Sequence, residues 1–151
     1  MNNLHSILVK IHVWSSAFFT IVALLLVFFA IKGLIFRNEY KKFNINLEYI
    51  YIGLLYLGLV LGITLYFFVD SNEDVSKIPI EVLQKRHSTA FWAIEHFSVM
   101  IFALLIAQIG KLFTSKAITS KDKFKYALFY YGIATCIVLA SMTIYLYYKM
   151  H

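Results

Sequence analysis

Four long apolar stretches, separated by three short blocks of charge, constrain this chain more than any other feature. The first runs from Ile11 to Ile31, with Leu4 to Val9 before it; the second from Tyr49 to Val69; the fourth from Tyr126 to Tyr148. The third is less regular. Its uncharged part, Phe97 to Gly110, is too short to cross about 30 Å of hydrocarbon at 1.5 Å per residue, so that span must begin near Thr89 and carry Glu95 and His96 into the membrane. The first run is too long for a signal-peptide core, and no A-x-A-like cleavage site precedes Lys32, so it is expected to be a retained helix. Of the 151 residues, 61% are hydrophobic, against about 45–50% in globular domains. The expected fold is therefore all-α: one polytopic membrane domain over residues 1–151, a four-transmembrane-helix bundle with spans near 6–31, 48–69, 89–110 and 126–148. We see no internal repeat and no low-complexity segment.

Charge placement predicts orientation. Lys32, Arg37, Lys41 and Lys42 lie between spans 1 and 2; Lys111, Lys116, Lys121, Lys123 and Lys125 lie between spans 3 and 4. The 70–88 segment mixes Lys77, Lys85 and Arg86 with Asp70, Glu73, Asp74 and Glu81. Loops rich in Lys and Arg stay cytoplasmic. An up-down-up-down bundle with both termini outward, in a bacterial inner membrane, follows as the expectation. The net charge of +6 is thus a topological signal, and no nucleic-acid partner is expected. Pro79 falls in the outer segment, where it breaks no span. Cys136 is the only cysteine, which excludes an internal disulfide; in an apolar helix it is expected to pack as a small residue. Tyr145, Tyr147 and Tyr148 read as an interfacial aromatic belt.

Ionisable side chains inside a bilayer are costly and mark functional sites. His12, Glu95 and His96 are such residues. His12 and His96 should each lie about 9–11 Å below the outer surface, at 1.5 Å of rise per residue, on two helices entering from the same side. Two imidazoles at one level suit the axial positions of a haem iron between facing helices. The level of the histidines on span 2 falls near Gly62, with Gly58 one turn away. That Gly58–Gly62 spacing serves close helix packing or makes room for a macrocycle. Ser15 and Ser16, then Ala93, Met100 and Ala103, and Ala140 and Ser141 offer small or soft neighbours at the same depth. Lys10, Lys85, Arg86 and His87 stand at the outer rim, as propionate partners or as ordinary snorkelling groups. Glu95 points about 100° away from His96 on the helix, and is a candidate to orient an imidazole, to carry protons, or simply to hydrogen bond. His5, His87 and His151 lie at ends or edges and read as solvated.

Short motifs distributed over nearly the whole chain carry a resemblance. Ile7-Leu8-Val9-Lys10-Ile11-His12, Gly62-Ile63-Thr64-Leu65-Tyr66-Phe67, Phe91-Trp92-Ala93-Ile94-Glu95-His96, Phe129-Tyr130-Tyr131-Gly132-Ile133-Ala134 and Leu139-Ala140-Ser141 resemble small four-helix membrane proteins of Bacteroidetes-type genomes commonly labelled cytochrome B. The resemblance implies a haem-b membrane cytochrome with His12 and His96 in the matching His positions. Relatives tend to carry Arg where this chain has Ser16, and His where it has Tyr56, so a second haem site is not implied here.

Three functional expectations result. The first is a one-haem b-type cytochrome passing electrons between quinol and a periplasmic or membrane redox partner. The second is a non-enzymatic accessory subunit of a larger inner-membrane respiratory complex, with the histidines joining helices and the Phe-rich face of span 1 (Phe18, Phe19, Phe28, Phe29) as a partner or lipid surface. The third is a small haem-linked oxidase resembling the membrane protoporphyrinogen oxidases. Those need a Lys inside a later span, and no Lys lies between Ser88 and Gly110 or between Ala127 and Tyr148.

Overall fold

The computed structural model describes the backbone of residues 2–70 and 80–150, and side chains for residues 4, 6–67 and 94–144. Four helices follow in order: α1 (Asn2–Ile35), α2 (Lys42–Asp70), α3 (Ile80–Lys116) and α4 (Ser120–Met150). Each is long and apolar enough to cross a membrane, over Ser6–Ile35, Lys42–Phe67, Ile94–Lys116 and Ser120–Ile144. A multi-pass membrane protein is the reading of this fold, because a helix satisfies every backbone N–H and C=O within one segment where no water is at hand.

The helices outrun the expected spans. The segment read as a loop over 70–88 is helical from Ile80, so Lys85, Arg86 and His87 belong to α3; their side chains lie outside the described residues. At the other end α3 continues past Gly110 to Lys116, which takes Lys111 out of the connection where the sequence had placed it. Polar residues extend a helix readily outside the hydrocarbon, and hydropathy alone does not register them.

Two caps fix the ends that meet at the Lys-rich side. Helix α1 closes with Asn38 N–H donating to the Gly33 carbonyl at 3.1 Å, and with Arg37 in the left-handed region at φ 53°. Gly usually takes that position; an L side chain there costs about 1–2 kcal/mol. Helix α4 opens on Thr119, whose Oγ1 accepts from the Asp122 N–H at 3.1 Å and donates to the Asp122 carboxylate at 2.6 Å, an N-cap arrangement. The two connections are tied together where the Tyr40 N–H donates to Ser120 Oγ at 3.1 Å.

Helix α1 packs on α2 and α4, and α3 packs on the same two, while α1 and α3 face each other across a diagonal among the described residues. Small residues let the backbones approach: Ala23, Ala103, Ala107 and Ala134 are fully buried. Gly110 has the side chain of Tyr130 so near that an added Cβ would sit 2.6 Å from Tyr130 Cβ, and Gly33 lies flat against the Phe124 ring. At mid-height Phe19, Tyr51 and Tyr131 form a ladder, with centroids 5.0 Å and 5.1 Å apart. The Tyr51 hydroxyl meets Thr135 Oγ1 at 3.1 Å. The outward faces carry Trp14, Phe18, Phe28, Phe102, Leu105 and Phe129, as a lipid-facing surface should.

The facing of several residues differs from expectation. Cys136 is exposed rather than packed, and Ala140 also turns outward. The four Phe of span 1 do not share a face: Phe18 and Phe28 are exposed, Phe29 is half-buried, and Phe19 is buried in the core.

Candidate functional site

The bundle interior holds two polar clusters, one at each end. At the end away from the Lys-rich connections, α1 contributes His12 and α3 contributes His96, both half-buried. The rings come from the diagonal helices α1 and α3. His96 Nδ1 lies 2.8 Å from Ser141 Oγ on α4, which fixes how the ring is turned. His12 Nδ1 is buried without a hydrogen-bond partner among the described residues. Ser15 and Ser16 do not supply one: both hydroxyls donate to the His12 backbone carbonyl, at 2.9 Å and 2.8 Å. That backward bonding is the usual use of Ser on a helix.

The glycines of α2 face this cluster. A Cβ added at Gly62 would stand 4.0 Å from His12 Cε1, and one at Gly58 would stand 3.8 Å from Met100 Cε. Both are ordinary van der Waals distances, so α2 packs on His12 and Met100 at these glycines. Met100 and Ala103 are buried below His96. Glu95, one residue from His96, is exposed and turns away from the bundle interior. Lys10 is exposed at the rim. The side chains of Arg86, Lys85, His87, His5, His151 and Ala93, and the aromatic belt at Tyr145, Tyr147 and Tyr148, lie outside the described residues.

Among the described residues no three of His, Cys, Asp or Glu come together, and His12 and His96 are the imidazoles at this end. A macrocycle such as haem would bring its own equatorial nitrogens and ask the protein for two such donors.

The second cluster went unrecognised in the sequence. Glu48 on α2 is 1% exposed. Its Oε2 accepts from the Lys111 ammonium of α3 at 2.6 Å, and its Oε1 accepts from the Tyr40 hydroxyl. The same ammonium stands 4.0 Å above the Tyr49 ring. Burial first, and then the charge of Glu48, holds the Tyr40 phenol well above its usual titration range. The Tyr131 hydroxyl is buried without a hydrogen-bond partner among the described residues. A cleft with about 10 Å³ of room adjoins Tyr40, Asn44, Leu26, Ala30 and Phe124, space for about one water. A Glu at the border of a predicted span and a Lys at the border of another were the available signal. Only their pairing, 63 positions apart, turns them into a site.

Lys111 also bears on the oxidase expectation. A Lys does lie within an apolar span, yet it is bound to Glu48 and stands about 22 Å from His96 along α3, at 1.5 Å per residue.

In comparisons with protein-family models, curated proteins and solved structures, nothing matches this chain.

Proposed function

We propose that this protein is a b-type cytochrome-like membrane protein, which holds one haem b between His12 and His96. What supports the reading is that α1 and α3, two helices across a diagonal of the bundle, each place a half-buried imidazole, His12 and His96, toward the same end, with His96 Nδ1 2.8 Å from Ser141 Oγ. The resemblance of the motifs around His12 and His96 to small proteins labelled cytochrome B supports it. In this proposal the chain runs up-down-up-down with both termini outward, in a bacterial inner membrane, and exchanges electrons with quinol and a periplasmic or membrane partner.

His12 and His96 would hold the haem, which when bound would supply one-electron redox chemistry. The chain's own residues do the rest. Ser141 orients the His96 ring through Nδ1. Gly58 and Gly62 let α2 pack on Met100 and His12. The apolar walls around Met100 and Ala103 exclude water. Arg86 and Lys10 fall on the rim side, where cations suit carboxylates of a bound cofactor.

The absorption spectrum of the detergent-purified chain, expressed with ample haem and recorded with and without dithionite, tests this. A Soret band that disappears in both His12→Ala and His96→Ala is expected. The hydrogen bond between His96 and Ser141 favours a second reading, an accessory subunit in which the histidines only join helices. That reading requires wild-type protein without a Soret band and variants that lose stability alone.

A further inference from the structure

The opposite end of the bundle carries a different signal. Tyr40 and Ser120 join the two connections there, and the Tyr40 and Phe124 rings pack at 4.7 Å. Lys32, Arg37, Lys41 and Lys42 therefore share one surface with Lys116, Lys121, Lys123 and Lys125. All of these are exposed except Lys123, which is half-buried. Little neutralises them. Among the described residues Lys111 is the only Lys or Arg in an ion pair, and it takes the buried Glu48. Asp122 is engaged in capping α4, leaving Glu39 as the remaining acid of this surface.

Apolar side chains stand among the cations. Ile118, in the short connection between α3 and α4, is 96% exposed, and Ile35 and Phe36 are each 68% exposed at the end of α1. In water such groups would be poorly placed. At the boundary of head groups and acyl chains they insert while neighbouring Lys and Arg reach phosphates. The backbone adds an independent sign. Arg37 occupies the left-handed position at the end of α1, where glycine sits without strain. A residue kept there against backbone preference points to a use for its side chain.

We propose that this end is a binding surface for anionic phospholipid head groups, in which Arg37 and the Lys that flank the α3–α4 connection (Lys116, Lys121, Lys123 and Lys125) hold lipid phosphates and Ile118 and Phe36 wedge into the acyl boundary. The surface is independent of any cofactor at the histidine end.

The test compares lipid retained by the full chain after reconstitution and mild re-extraction, using vesicles that mix phosphatidylcholine with phosphatidylglycerol. Retention of phosphatidylglycerol severalfold above its share of the mixture is expected, falling as salt is raised. Arg37→Gly lowers that preference about fivefold, the equivalent of about 1 kcal/mol for a cation near an anionic surface, while its thermal stability in pure phosphatidylcholine stays equal or rises. The triple variant Lys121→Gln, Lys123→Gln, Lys125→Gln lowers it further and keeps the α4 cap. Equal retention of both lipids overturns the proposal, as does a preference untouched by both variants, which would leave the cations as orientation signals only. Displacement of the lipid by inorganic phosphate, or by RNA, would also overturn it in favour of a soluble anion.

Discussion

The ammonium of Lys111 reaches the carboxylate of Glu48 at 2.6 Å, from α3 to α2, with the acid almost fully buried. Removing one member of such a pair strands the other. Glu48→Gln or Lys111→Met is expected to destabilise the bundle by about 3–5 kcal/mol. The double variant Glu48→Gln, Lys111→Met should recover much of that loss, because no buried charge remains. Thermal unfolding in detergent of the two singles and the double forms the cycle. Additive losses would show that the pair is not coupled.

Gly110 and Gly132 separate close packing from open surface. An added Cβ at Gly110 would overlap Tyr130 near its own Cβ, where no flexible end can swing away. Gly110→Ala should cost about 1–3 kcal/mol by overpacking. At Gly132 nothing lies within 4 Å, so Gly132→Ala should be neutral, or stabilising by up to about 1 kcal/mol from helix propensity. Parallel melting curves decide it.

Ser141 Oγ lies 2.8 Å from His96 Nδ1. Ser141→Ala should keep a Soret band while weakening haem affinity by about 10–100-fold, the scale of losses when a ligand's orienting partner is removed. Transfer of haem to an apo-globin acceptor reads the change. An unaltered transfer rate would leave the hydrogen bond a purely structural link.

Tyr51→Phe removes a hydroxyl shared with Thr135 at 3.1 Å inside the aromatic ladder. A net loss of about 1 kcal/mol is expected. The absorption spectrum should not change, since the ladder lies at mid-height, away from the histidines.

Orientation can be read at Glu39, which is exposed in the α1–α2 connection. In a Cys136→Ala background, Glu39→Cys should resist a membrane-impermeant maleimide in intact spheroplasts and react once the cytoplasmic face is opened. Labelling of intact spheroplasts would invert the proposed topology.

Hydropathy and charge spacing by themselves determined that four helices are long enough to cross a membrane, and roughly where, because the length of an apolar run is a property of the chain alone. They also brought His12 and His96 to notice, since an imidazole in a bilayer stands out without any neighbours. Tertiary structure decided what the sequence had no means to say: that Glu95, Cys136 and Ala140 turn outward, that Ser141 turns in to His96, and that Glu48 finds Lys111. The physical reason lies in the solvent. Lipid and bundle interior are about equally apolar, so a span can be hydrophobic all round and its composition does not reveal which face packs. Polar partners remote in sequence become neighbours only when small residues such as Ala103, Ala107 and Ala134 let the helices close.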